Sequence, residues 1–229
     1  MYSIMSISKT NQSLDELLNH PHLWRGSQYQ LTGAAFQGGH HMPGLSSGHE
    51  GLDACLPWQG WPANALVEII TPLWGAGELQ LVLPLLRTLS NAGKWILWIA
   101  PPCLPYAPGL ALTGVDTARI IVVKPDAGTV ISRTSTPTLW SIEKALQNPA
   151  CALVLAWPGY LSGKHIRRLQ LAATTGRTLG ILFHHRNLRH SASVLRLQVE
   201  NSEDALQVTV LKARGSSRRD TIKVMRRLP

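Results

Sequence analysis

The strand-like run Ala65-Leu66-Val67-Glu68-Ile69-Ile70 leads straight into Thr71-Pro72-Leu73-Trp74-Gly75-Ala76-Gly77-Glu78-Leu79, and a helical pattern follows. A buried strand, a glycine-bearing turn and a helix form the setting in which backbone N–H groups cradle phosphates. There a Lys reaches the β/γ-phosphates and a Ser or Thr hydroxyl holds Mg²⁺. Here Glu78 stands where the lysine belongs and Leu79 where the hydroxyl belongs. A carboxylate repels phosphate and Leu binds no metal, and the loop is one residue longer than the motif when counted from the strand. The degenerate loop Thr71, Gly75, Gly77, Glu78 and Leu79 therefore predicts no nucleotide cofactor.

Other residues of chemical interest fall away on inspection. Gly159-Tyr160-Leu161-Ser162-Gly163-Lys164-His165 also lies between a strand pattern and a helix pattern. It is one residue too short for a phosphate loop, and His165 replaces the hydroxyl. The histidines group as His20/His22, His40/His41, His165 and His184/His185/His190, with no cysteine beside any pair. Zinc needs three or four ligands at workable geometry, so no metal site is expected. His184 and His185 are expected at a strand end beside Arg186, adding to a basic surface. No serine sits in a nucleophile context such as Gly-x-Ser-x-Gly. Cys55, Cys103 and Cys151 are odd in number and far apart, and read as reduced core residues of an intracellular chain.

Charge is segregated along the chain. The net +9 arises from a nearly balanced stretch up to residue 163 and a strongly basic remainder. The basic residues form two sets. Lys164, Arg167 and Arg168 share one face at helical spacing, while Lys212, Arg214, Arg218, Arg219, Lys223, Arg226 and Arg227 gather at the end. Such clusters suit DNA phosphates or an acidic protein surface, and charge does not choose between them.

These groups must be carried by a scaffold, which the hydrophobic periodicity outlines. Strands are predicted at 65–70, 94–100, 119–123, 151–156 and 178–183, alternating with helices near 78–92, 136–148 and 163–175. Apolar strands alternating with helices imply a parallel sheet covered on both faces. Thr136-Pro137 supplies a helix cap and a first-turn proline, Gly176 closes the next helix, and Pro84 should kink or delay the first. Three further segments, 194–200, 205–211 and 221–225, read as antiparallel edge strands. Of the eight tryptophans, Trp95, Trp98, Trp140 and Trp157 fall in core-like patterns. Trp24, Trp58, Trp61 and Trp74 lie in loop-like or terminal segments, and Trp24 and Trp74 are candidate interface anchors.

The chain of 229 residues is long enough to bury roughly 70% of its unfolded surface in one core. No apolar run reaches the roughly 20 residues of a membrane span, and the N-terminus lacks the pattern of a signal peptide. The expected location is cytoplasmic, with no membrane contact. Residues 1–45 are expected to form a flexible arm with a short partner-binding helix around Leu14–Trp24. The core is expected over 46–211, with a basic edge strand and tail over 212–229.

Gly51-Leu52-Asp53-Ala54-Cys55-Leu56, then Gly60-Trp61-Pro62, then Leu66-Val67-Glu68-Ile69 resembles the segment that leads into the nucleotide site of the RecA family. Within that superfamily the chain is similar to the ImuA family, associated with translesion synthesis. The resemblance rests on Leu23-Trp24-Arg25-Gly26, Gly77-Glu78-Leu79, Ala100-Pro101-Pro102, Pro105-Tyr106-Ala107-Pro108, Trp157-Pro158, Arg167-Arg168-Leu169-Gln170 and Val210-Leu211-Lys212-Ala213-Arg214-Gly215. Over a narrower stretch, Leu79 to Arg186, it also resembles SulA, the SOS inhibitor of cell division.

The resemblance implies a RecA-like α/β fold: a mostly parallel sheet flanked by helices, with antiparallel C-terminal edge strands. A RecA-type domain would place a magnesium-holding Asp at the end of strand 151–156, where this chain has Trp157-Pro158, so the second half of the ATPase machinery is missing too. The implied function is a non-catalytic accessory role in SOS-induced translesion synthesis. Its partners would be an ImuB-type polymerase homologue, an error-prone replicative-type DNA polymerase and RecA, with DNA as a further ligand. Two alternatives stay open: a SulA-like inhibitor that binds FtsZ, and an ATP-dependent recombinase.

Overall fold

A computed structural model of the protein describes residues 44–75, 77–125, 135–185, 191–202 and 204–225. The expected Leu14–Trp24 helix, Trp24 itself, Arg226 and Arg227 lie outside them. Eight strands make one sheet in the order β3-β2-β4-β5-β1-β6-β7-β8. The strands are β1 (Leu66–Ile70), β2 (Trp95–Ile99), β3 (Ile120–Val123), β4 (Cys151–Ala156), β5 (Leu179–His184), β6 (Leu195–Asn201), β7 (Ala205–Ala213) and β8 (Thr221–Met225). Strands β1 to β6 pair in parallel, while β7 and β8 add antiparallel. The fold is thus a mixed α/β domain with a mostly parallel sheet flanked by helices. Among the described residues, no helix is long and apolar enough to cross a membrane.

Continuous apolar strands bury both faces, and each face has its own core. On one side α1 (Glu50–Cys55) and α2 (Glu78–Asn91) bring Leu52, Leu81, Leu85 and Leu86 onto Val67, Ile69, Ile181 and Phe183. On the other, α4 (Thr136–Gln147) and α5 (Gly163–Gly176) bring Ile142, Leu146, Ile166 and Leu169 onto Leu66, Val154 and Leu182. A short helix, α3 (Ala107–Leu112), and a 3₁₀ turn, Thr117–Arg119, connect β2 to β3. Neither α1 nor α3 was signalled by periodicity, because six residues are too few for an amphipathic repeat to show.

Local details depart from the sequence expectations for identifiable reasons. Pro84 does not delay α2, which starts at Glu78 and includes it. Its ring instead fills the space over Gly48, where an added Cβ would come within 2.4 Å of the Pro84 Cβ. The cap of α4 is Ser135 rather than Thr136: the Ser135 hydroxyl accepts the Thr138 N–H at 3.1 Å, with Pro137 in the first turn. Gly176 is the last residue of α5, not its left-handed closure, which falls on Arg177 at φ 55°. Trp95 and Trp140, expected in the core, are 37% and 58% exposed, whereas Trp58 and Trp61, expected in loops, are buried. Only Cys151 of the three cysteines is buried; Cys103 is exposed and Cys55 intermediate.

Candidate functional site

The loop between β1 and α2 lies at the carboxyl end of the parallel strands, the edge where open α/β sheets bind ligands. Thr71 is fully buried, its N–H bonded to the His184 carbonyl at 2.9 Å and its hydroxyl donating to the Leu73 carbonyl at 2.9 Å. Glu78 opens α2 and is also buried. Its Oε1 accepts the N–H of Gly75 at 2.8 Å. A negative group at the first turn of a helix is favoured by the helix dipole and by unpaired N–H groups. Glu78 therefore brings its own carboxylate to the helix start where a phosphate would sit, and its second oxygen, Oε2, has no hydrogen-bond partner among the described residues. Gly77, at φ 101°, is required twice: for its left-handed backbone and because a Cβ would approach Leu206 of β7 to 2.8 Å. Leu79, where a metal-binding hydroxyl would stand, packs on the apolar core.

Trp74 is half-buried against the same core and lies over His185, with ring centroids 3.7 Å apart. His185 Nδ1–H donates to the Thr71 carbonyl at 3.0 Å, which ties the loop to the end of β5. Packing over the sheet edge therefore accounts for Trp74. At the end of β4, Trp157 stacks on Phe183 at 4.7 Å and meets Trp98 at 5.4 Å. An aromatic layer thus stands at the end of β4.

Sequence reasoning missed a buried polar cluster centred on β1. Glu68 is fully buried in β1, and Arg196 of β6 is its registered neighbour, with Arg196 Nε 3.4 Å from Glu68 Oε1. The hydroxyls of Ser191 and Ser193 both donate to Glu68 Oε1, and His184 Nε2 lies 3.6 Å from Oε2. Lys212, opposite Arg196 in β7, donates to the carbonyls of Ser191 and Ser193 at 2.7 Å each. Burial holds the His184 pKa below its usual value, against the pull of Glu68 and with the push of Arg196 and His185. The neutral imidazole adds nothing to a basic surface, contrary to expectation. Lys212 is likewise lowered, first by burial and then by Arg214 and Arg196. The cluster joins β1, β5, β6 and β7 to the segment entering β6. Its one sequence signal was a Glu within five strand residues otherwise apolar, Leu66 to Ile70.

The basic residues do not form one patch. Lys164, Arg167 and Arg168 are exposed on α5, which starts at the carboxyl edge just after β4. Arg168 is already engaged: its Nε donates to Glu143 of α4 at 2.6 Å. Arg214, Arg218 and Arg219 lie in the turn after β7, where Ala213 is level with Leu195 and so with Val67 at the start of β1. That is the opposite edge of the sheet from the Glu78 loop. Arg218 faces Asp220 at 3.4 Å, and Lys223 is exposed on β8 opposite Gln207. Among the described residues, no group of three or more His, Cys, Asp or Glu could hold a metal ion.

The chain is similar to known proteins over much of its length. A family model described as cell division inhibitor SulA matches residues 75–180. The cell division inhibitor SulA of Photorhabdus laumondii is 30% identical over 129 residues, which cover 56% of this chain and 67% of that protein. The chain belongs to the SulA family. Protein ImuA of Caulobacter vibrioides is a further relative, 31% identical over 152 residues, 63% of this chain and 58% of that protein. The match thus spans two thirds of the SulA relative and less than two thirds of the ImuA relative. Among solved structures, SulA from Pseudomonas aeruginosa is 23% identical with a TM-score of 0.42, covering 52% of this chain and 96% of that one. The SulA family match takes in the Gly75–Glu78 contact, β2, β3, β4 and both helices of the second core. It leaves β1 with Glu68, and β6 to β8, outside.

Proposed function

We propose that the chain is a non-catalytic interaction protein of the SOS response, a RecA-like domain whose phosphate loop is occupied by the carboxylate of Glu78. The bond from the Gly75 N–H to Glu78 supports this reading, because the same donor is no longer free for a nucleotide. The antiparallel strands β7 and β8 beyond a parallel sheet agree with the RecA-like expectation. Of the two roles the relatives offer, the ImuA-type accessory role in translesion synthesis is preferred. The observation that carries it is coverage: the ImuA relative matches 63% of the chain, against 56% for the SulA relative. The partners on this reading are an ImuB-type polymerase homologue, an error-prone replicative-type polymerase and RecA, with DNA at the exposed α5 residues Lys164 and Arg167.

A second reading is a SulA-like inhibitor of cell division that binds FtsZ. The 30% identity over two thirds of a SulA protein favours it. Affinity capture of the tagged chain from DNA-damaged cells separates the two. The first reading expects the polymerase homologue or RecA in the capture and undisturbed FtsZ polymerisation in vitro. Capture of FtsZ with arrest of its polymerisation, and no polymerase or RecA, establishes the second.

A further inference from the structure

Among the described residues, β3 is the terminal strand of the sheet, and it has none of the usual protection of an open edge. Its four residues are Ile120-Ile121-Val122-Val123, with Ile121 44% and Val122 36% exposed on opposite faces. The strand contains no charge, proline or bulge. The Val123 carbonyl accepts the Ala100 N–H at 2.9 Å, so Val123 turns its polar groups toward β2. By the alternation of a strand, Ile120 and Val122 turn their N–H and C=O outward. Further apolar side chains are exposed on the neighbouring chain segments. Leu104, Tyr106 and Leu112 stand on the connection into β3, and Trp95 starts the neighbouring β2.

The ends of the strand select the occupant. Arg119 precedes β3, its guanidinium 5.2 Å over the Trp95 ring, and exposed Lys124 follows it. A second copy pairing antiparallel along β3 would bring Arg119 of one strand and Lys124 of the other to the same end of the pair, and gathering like charges there is unfavourable. An acidic residue at each end of an incoming strand meets a cation at both. Pro125 ends the usable edge, limiting the added strand to a few residues.

We infer that the β3 edge is a strand-addition site for an extended segment of another protein, apolar at its centre and acidic at both ends. Main-chain hydrogen bonds to Ile120 and Val122 supply affinity, and Arg119 and Lys124 supply selectivity. The inference rests on the reading of the chain as an interaction protein and adds where, and with what chemistry, it engages.

The test uses the full chain and two synthetic peptides with one Val/Thr core, ended by Asp/Glu or by Lys, titrated by calorimetry. The acid-ended peptide should bind about tenfold more tightly than the Lys-ended one. Val122→Pro removes only an outward N–H, so it should keep the native melting temperature and abolish binding. Arg119→Glu with Lys124→Glu should reverse the peptide preference, and this variant still decides the matter if the proline variant does not fold. Failure of the wild-type chain to bind either peptide, equal binding of both, or unchanged binding by folded Val122→Pro overturns the inference. So does a monomer–dimer equilibrium that Val122→Pro abolishes, which assigns the edge to a second copy. If Val122→Pro still captures its cellular partner from damaged cells, the edge site fails while the interaction reading stands.

Discussion

Gly75 donates its N–H to the carboxylate of Glu78 at 2.8 Å, three residues on and at the start of α2. A loop that closes on its own anion offers one donor fewer to another. The purified chain is expected to show no saturable binding of a labelled ATP analogue at micromolar concentration, and no turnover. Glu78→Lys with Leu79→Thr should not restore hydrolysis. The loop keeps its extra residue, and Trp157 still stands at the end of β4, stacked on Phe183 at 4.7 Å. Equilibrium dialysis and a phosphate-release assay check both statements, and turnover by either protein would refute the non-catalytic reading.

Glu68 and Arg196 form the charged centre of the sheet, both buried and 3.4 Å apart. Removing the carboxylate from a buried ion pair costs about 3 kcal/mol or more. Glu68→Gln should therefore lower the melting temperature by about 10 °C in a domain of this size. It also weakens the acceptor for Ser191 and Ser193. A scanning-calorimetry shift of no more than a degree or two would mean that the Glu68 carboxylate is not what holds this cluster together.

Burial keeps His184 below its ordinary 6.5 in the folded chain. The unfolded chain then binds the proton first as pH falls, so the folded state loses stability below about 6.5, by up to about 1.4 kcal/mol per pH unit. Above that value neither state is protonated there and the contribution is flat. Urea midpoints at about pH 7.5 and 5 should differ in the wild type. The difference should shrink in His184→Gln, although the carboxylates that titrate lower remain. An identical pH dependence in the variant would show that His184 stays accessible to solvent.

The sheet could be read from the sequence because buried parallel strands are apolar at nearly every position, and the runs at Leu66–Ile70, Cys151–Ala156 and Leu179–His184 are bounded by turn residues. The Glu78 loop was legible for the same reason: a strand, glycines and a helix start leave few placements for the residue that follows. What could not be read depends on register. Glu68 gains its meaning from Arg196, 128 positions later, and only the pairing of β1 with β6 brings them together. The same limit explains the tryptophans. Trp95 and Trp140 have core-like neighbours in sequence, but one begins a strand beside the sheet edge and the other points outward from α4. Splitting of the basic residues between two edges follows from the antiparallel return of β7, which charge counting does not contain.

Gly176 and Arg177 give opposite tests at the end of α5. A Cβ on Gly176 would lie 1.9 Å from the Leu146 carbonyl oxygen and 2.7 Å from the Gln147 Cα, backbone atoms that a rotamer change cannot move. The glycine exists for the close approach of α5 to the end of α4. Gly176→Ala must push the two helices apart and should destabilise by about 3 kcal/mol. Arg177 carries the left-handed turn that glycine would adopt without strain, at φ 55° and ψ 36°. Its N–H closes the helix on the Thr174 carbonyl at 3.4 Å, a bond that needs no side chain. Arg177→Gly should therefore stabilise the fold by about 0.5 kcal/mol, the relief of strain exceeding the added freedom of the unfolded chain. Chemical denaturation of both variants beside the wild type measures the pair. If Gly176→Ala proves neutral, or Arg177→Gly destabilises, the α4–α5 contact differs from the one described.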